Sequence, residues 1–256
     1  MHKKIKEKMP RAYLYTNSGK IKKVNQDAAM VEIARDSNCG DIILAAVCDG
    51  MGGYSRGEVA SSFVVNGLKD WFQGGLRQCL LRNMSFDEIL KMLEKAVYVI
   101  DKRLKEYSDE KKIILGTTAV IYFRMESQYG ILNIGDSRGY LISRYRSRPL
   151  THDQSLMQKK IDEGLISRKE ARLSNERSIV LQGIGVSKNL RADVTKGVVQ
   201  PRQEVMLCSD GFWRLIRDKE ISLLTKTDKI ESNLVEMGKR LIDRGETDNL
   251  TALIIK

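Results

Sequence analysis

Histidine is nearly missing from this chain: only His2 and His152 occur in 256 residues. A zinc site of the usual nitrogen-and-sulfur kind therefore has too few ligands. A Ser-His-Asp hydrolase would have to rest on His152, and no GxSxG elbow leads into a helix. Proline is almost as scarce, with three residues, and with 42% hydrophobic and 30% charged residues this argues against long linkers or disorder. The four cysteines (Cys39, Cys48, Cys79 and Cys208) form no CxxC pair, and two lie inside apolar runs, where free cysteine acts as a small hydrophobe. A reducing compartment, the cytoplasm, is expected. No stretch approaches the ~18 apolar residues of a membrane helix or resembles a signal-peptide core. The glycine-rich stretch Asp49–Gly53 lacks the lysine and hydroxyl of a GxxxxGK[ST] phosphate loop.

Charge is present in excess and unevenly. The formal net charge is +11, and residues 1–23 carry eight lysines and arginines against Glu7 alone, so +7 of it lies there. A second basic group is Arg144, Arg146 and Arg148. No aromatics interleave with these charges at a spacing that would stack bases, which argues against nucleic acid and for solvated charge that attracts anionic substrates.

At roughly 150 residues per domain the length falls between one large domain and two small ones. Helical periodicity predicts a first helix over roughly 57–73 (Val59, Phe63, Leu68, Trp71, Phe72) and a second opening at a Ser85/Glu88 capping box, with Phe86, Ile89, Leu90, Leu93, Val97, Ile100 and Leu104 on one face. A third is predicted near 229–244, stopping at Gly245. Strand-like runs are Ile42–Val47, Ile114–Phe123, Gly130–Ile134, Tyr140–Ile142, Val205–Cys208 and Leu250–Ile255. Helices are not interposed regularly between strands, so antiparallel sheets flanked by helices, an α+β fold, suit the order better than a doubly wound parallel sheet. One domain over 12–256 is expected, behind a basic tail at 1–11.

The acids fall where the apolar runs stop. Val47-Cys48 gives way to Asp49-Gly50-Met51-Gly52-Gly53, Leu207-Cys208 to Ser209-Asp210-Gly211, and Asn133-Ile134 to Gly135-Asp136-Ser137-Arg138, while Asp248-Asn249 precedes Leu250–Ile255. Any one Asp-Gly after a strand reads as a turn, and Asp136 with Arg138 could be a structural ion pair. Four such sites together read as a carboxylate cluster, which cannot stay ionised without a cation. All-oxygen donors select a hard ion such as Mg²⁺ or Mn²⁺, and glycine lets backbone carbonyls reach it.

These motifs resemble the PPM-type, or type 2C, metal-dependent protein serine/threonine phosphatases in their bacterial form. From about Tyr13 onward, and in the family's order, stand Lys22-Lys23-Val24-Asn25-Gln26-Asp27, Asp49–Gly53 with Gly57-Glu58-Val59-Ala60-Ser61, Gly116-Thr117-Thr118-Ala119, Gly135-Asp136-Ser137-Arg138, Leu150–Ser155, Leu207–Gly211 and Asp248-Asn249-Leu250-Thr251. The resemblance implies a four-layer α-β-β-α sandwich of two antiparallel sheets, with hydrolysis of phosphoserine and phosphothreonine on proteins by direct attack of a metal-bridging water. It implies two tightly bound Mn²⁺ or Mg²⁺ ions and a weaker third. Asp49 would bridge the pair and the Gly50 carbonyl would bind the first ion, while Asp210 and Asp248 would hold the second. Gln26 and Asp27 would order metal-bound waters, Asp136 with Asp210 would hold the third ion, and residues 151–185 would form a flap. The partners implied are substrates of a serine/threonine kinase, met by a monomer. Two departures stand out: the family's phosphate-binding arginine falls at Lys22, a point charge in place of a fork, and Gln154 stands where the flap motif has histidine, so His152 inherits no role. Alternatives are a degenerate member that binds or senses without catalysis, or a phosphatase dedicated to one regulatory protein. Retention of Asp49, Asp210 and Asp248 argues against the first.

Overall fold

The computed structural model describes residues 9–51 and 56–256. Most of the basic tail expected at 1–11, and Gly52 and Gly53, lie outside the described residues. The chain opens with strands β1 (Ala12–Asn17), β2 (Asp27–Asp36) and β3 (Gly40–Asp49), followed by helix α1 (Gly57–Asp70). A π-helical turn, Trp71–Leu76, joins α1 to α2 (Arg77–Leu81) and then α3 (Phe86–Lys111). Strands β4 (Ala119–Met125), β5 (Gln128–Ile134), β6 (Arg138–Ser143) and β7 (Arg146–Pro149) come next, then the short helices α4 (Leu156–Asp162) and α5 (Arg168–Leu173). The remainder is β8 (Asp193–Val198), β9 (Glu204–Cys208), α6 (Asp210–Trp213), α7 (Asp218–Ile221), α8 (Ile230–Asp243) and β10 (Leu250–Ile255).

Why β3 is apolar at every position from Ile42 to Cys48 follows from what covers it. Side chains alternate across a strand: Ile42, Leu44, Ala46 and Cys48 face α1 and α3, while Ile43, Ala45 and Val47 face the other sheet, and all seven are fully buried. Two antiparallel five-stranded sheets result, in the orders β2-β3-β4-β5-β8 and β1-β10-β9-β6-β7. Val64, Leu68, Leu93 and Val97 cover the outer face of the first, and Leu234, Met237 and Leu241 of α8 cover the second. Between the sheets Val120 and Tyr122 pack with Leu207, Leu253 and Ile255. This is the α-β-β-α sandwich that the resemblance implies.

The predicted helices form, with one boundary displaced. The first continues past 73 to Leu81, because buried Leu76 and Cys79 carry the apolar face across Gly74-Gly75. A Cβ at Gly75 would lie 2.6 Å from the Trp71 ring, so glycine lets Trp71 fold over the next turn. The Ser85/Glu88 capping box is present. The strand expected from Ile114 starts only at Ala119. Gly116 to Thr118 instead bond across the end of β3, where Met51 N–H donates to the Gly116 carbonyl (3.0 Å) and Thr118 N–H to the Asp49 carbonyl (2.9 Å). At the other terminus the β1–β10 ladder reaches Arg11, which exchanges hydrogen bonds with Lys256 (2.9 and 2.8 Å). Among the described residues no helix is long and apolar enough to cross a membrane.

The inter-sheet layer sets global stability. Leu253→Ala should cost about 2–5 kcal/mol, read as a lowered urea midpoint, whereas Val194→Ala on the exposed edge strand β8 should fall within about 0.5 kcal/mol of wild type.

Candidate metal centre

Antiparallel pairing brings every predicted acid to one end of the sandwich. Asp27 opens β2 and Asp49 closes β3, and the two are directly paired. Asp210 follows β9 and Asp248 precedes β10, neighbours in the second sheet. Asp136 sits where the chain crosses from β5 in one sheet to β6 in the other. Lys22 Nζ lies 3.1 Å from Asp248 Oδ1 at the half-exposed rim.

The backbone around the acids is fixed by short polar groups. Thr117 Oγ1 donates to the Asp49 carbonyl (2.9 Å). Ser209 Oγ donates to Asp27 Oδ2 (2.8 Å) and accepts from Thr251 N–H (3.0 Å). Gly50 N–H and Ser61 Oγ both donate to the Gln26 carbonyl (3.0 and 2.7 Å), tying β2, β3 and α1 together. A Cβ at Gly50 would collide with the Gly57 carbonyl and lie 2.7 Å from the Gln26 carbonyl oxygen, so only glycine fits. The Gln26 side chain reaches toward Glu58, 3.5 Å away.

Four residues that sequence reasoning left without a role complete the site. Buried Asn249 accepts from Gln26 N–H (2.9 Å) and donates to the Ser18 and Val24 carbonyls (3.0 and 3.2 Å), stapling the Lys22–Asp27 segment beside Asp248. Glu246 Oε1 accepts from Thr247 and Asp248 N–H (2.9 and 3.1 Å). Arg214, one helical turn beyond Asp210, is paired with Asp210 Oδ2 and with Glu246 Oε1 (3.1 Å). Trp213 Nε1 donates to the Asp136 carbonyl (2.8 Å), and the Arg138 guanidinium lies 3.3 Å from the Trp213 ring centre. Glu246 lies two residues before Asp248 and Arg214 three beyond Gly211, just outside the motifs, and only the i, i+4 spacing of Asp210 and Arg214 could have signalled the pair. The alternative ion pair of Asp136 with Arg138 is not formed: Arg138 holds Asp153 through two bonds (2.8 and 2.7 Å). His152, as expected of a loop histidine, sits exposed beside Asp162. Gln154 exchanges bonds with Gly135 (both 2.9 Å), bracing the turn that carries Asp136.

The electrostatics call for cations. Burial raises Asp27 to about 7, against hydrogen bonds from Thr251 and Ser209 and helped by repulsion from Asp210 and Asp248. Asp49 and Asp136 are pushed well above the carboxylate range, by burial first and then by neighbouring acids. Asp210 is raised by burial against the pull of Arg214. Asp27 Oδ1, Asp210 Oδ1 and Glu246 Oε2 are buried without a hydrogen-bond partner. Orphaned buried oxygens are costly, and carboxylate oxygens of this kind fit a hard divalent ion. Among the described residues no three acidic side chains converge on one point, so an ion bound here would need further oxygens from backbone carbonyls and water.

Comparison with known proteins agrees with the fold. Residues 20–253 match the family model described as protein phosphatase 2C. The chain belongs to that family. It is 29% identical over 244 residues to the serine/threonine phosphatase stp of Listeria monocytogenes, covering 94% of this chain and 93% of that protein. It superimposes on the serine/threonine phosphatase Stp1 of Staphylococcus aureus with a TM-score of 0.85 at 27% identity, covering 97% and 95% of the two chains. The catalytic domain of the phosphatase PstP, solved in complex with two manganese ions, shares the fold with a TM-score of 0.79 at 23% identity, covering 96% and 97%.

Two outcomes follow for the site. Asn249→Ala should cost about 2–4 kcal/mol by leaving the Gln26 N–H and two carbonyls unpaired, checked by denaturant unfolding. A carboxyl whose folded pKa lies above its unfolded value favours folding only while protonated. Metal-free protein should therefore lose melting temperature as pH rises from about 4 through about 7, the value of Asp27. Saturating Mn²⁺ should abolish or reverse that fall, since the ion binds the ionised carboxylates. Scanning calorimetry with and without chelator checks this, and a metal-free melting point independent of pH over that window would refute it.

Proposed function

We propose that this protein phosphatase 2C family member removes phosphate from phosphoserine and phosphothreonine on protein substrates, using two divalent ions, Mn²⁺ or Mg²⁺. The observation that carries this reading is the cluster of buried aspartate oxygens without partners at one end of the sandwich, inside a chain that matches the family over residues 20–253. Asp49, the Gly50 carbonyl, Asp210 and Asp248 would hold the pair. When bound, the ions supply an activated water and offset charge on the phosphoryl oxygens.

The chain's own groups do the rest. Asp27 Oδ1, buried and free to accept, can orient an attacking water, with Gln26 beside it. Ser209 holds the other Asp27 oxygen, fixing which one faces the site. Lys22 at the rim brings a mobile positive charge to where a phosphate would enter, and its partner Asp248 keeps the ammonium there when substrate is absent. No carboxylate that the resemblance assigns to the ion pair is replaced, which disfavours the degenerate reading. The four free cysteines suit a reducing, cytoplasmic setting.

Purified protein should hydrolyse a phosphothreonine peptide with Mn²⁺ or Mg²⁺ and stop in excess chelator, and full activity after thorough metal removal would defeat the reading. Asp49→Asn and Asp210→Asn should each lower turnover by about two orders of magnitude or more while circular dichroism shows the fold intact. Lys22→Ala should raise KM for phosphopeptide more than Lys23→Ala, and Lys22→Arg should retain or improve it by supplying a fork. Equal KM for both alanine variants would return Lys22 to general surface charge.

A further inference from the structure

Asp210 has two carboxylate oxygens and two claims upon them. Oδ1 is buried with no partner, aimed into the cluster with Asp49 and Asp248. Oδ2 is taken by Arg214. That guanidinium is largely buried, with 15% of its side chain exposed, and is fixed by Glu246 Oε1 on its other side. It is held from within the chain too, since Arg214 N–H donates to the Asp210 carbonyl (2.9 Å) and Glu246 is locked by the Thr247 and Asp248 amides. Arg214 also stands near Asp136, the acid expected to share an ion with Asp210, while the other guanidinium nearby, Arg138, is held by Asp153.

Counting charges gives the same picture. Six carboxylates gather here: Asp27, Asp49, Asp136, Asp210, Asp248 and Glu246. Arg138 is spent on Asp153 and adds nothing net. Two divalent ions together with Lys22 and Arg214 bring six positive charges. A third divalent ion would have to displace the guanidinium from Asp210 Oδ2 in the corner where a positive charge already stands.

Resting on the two-ion reading, we propose that Arg214 is the built-in cation of the Asp136–Asp210 corner. It takes the place of the third divalent ion that the family resemblance implies, so that this chain binds two ions and not three. Arg214 is thereby a positioning residue: it assigns Asp210 Oδ1 to the ion pair by occupying Oδ2.

Calorimetric titration of Mn²⁺ into metal-free protein, with paramagnetic water relaxation counting bound ions independently, tests this. Wild type and Asp136→Ala should both bind two ions. Arg214→Ala frees Asp210 Oδ2 and should bind three, the third at least 100-fold more weakly, and the double variant with Asp136→Ala should return to two. Arg214→Lys keeps a positive charge and should stay at two, which a merely structural role for the guanidinium would not require. Three ions in wild type, falling to two in Asp136→Ala, would overturn the proposal while leaving the metal-dependent reading intact. Two ions in a folded Arg214→Ala would overturn it as well. If Arg214→Ala does not fold, the wild-type and Asp136→Ala counts decide alone. Fewer than two ions in wild type would remove the two-ion reading itself and this inference with it.

Discussion

Like charges held close in a dry place set the terms for this protein. Five aspartates and Glu246 crowd one end of the sandwich, where burial raises Asp27, Asp49 and Asp136 and neighbouring acids raise them further. Such a cluster is unstable unless something positive enters it, protons at low pH or metal ions otherwise. The rest of the molecule can be understood as a scaffold stiff enough to stop the acids from relaxing apart. A sandwich of two antiparallel sheets serves this well, since strand ends are fixed by ladders on both sides. Asp27 and Asp49 are cross-strand partners and cannot separate without breaking the β2–β3 pair.

Stiffness at the strand ends comes from small polar side chains that bond backbone in both directions. Asn249 gathers Ser18, Val24 and Gln26; Ser209 links Asp27 to Thr251; Thr117 and Thr118 close over Asp49. Each bond is worth only about 1 kcal/mol net, but leaving its buried partner unmade costs more than that. The loops are thereby held as firmly as the strands they join, which a site built on carbonyl oxygens requires.

What the sequence disclosed follows from how local each signal is. Periodicity marked α3 and α8 because their apolar faces repeat within one element, and the Ser85/Glu88 cap sits within four residues. The seven fully apolar residues of β3 marked a strand covered on both sides. Asp49, Asp136, Asp210 and Asp248 were visible because each follows or precedes an apolar run, while Asp27 was named only through the family resemblance. Three kinds of feature stayed hidden. The helical path from Asp70 to Leu81 depends on core packing that overrides Gly74-Gly75, and β7 and β8 are edge strands with little apolar pattern. Glu246 and Arg214 lie 32 residues apart and meet only in the fold. Arg138 finds Asp153 and not Asp136 because the β6–β7 hairpin returns the chain to its side.

The two basic residues at the centre differ in kind, and the difference matches their places. Lysine carries a compact, strongly hydrated charge on a flexible stem, which suits the half-exposed rim where Lys22 pairs with Asp248. Arginine is more weakly hydrated and presents a planar fork, which suits the buried corner where Arg214 spans Asp210 and Glu246 at once. Exchanging them would put a rigid fork at the entrance and a strongly hydrated point charge in the interior, where its desolvation would be harder to offset. The chain therefore divides the positive charge beside its carboxylates into a part at the exposed rim and a part fixed in the core. On the two-ion reading proposed above, divalent ions would lie beside Asp49, Asp210 and Asp248.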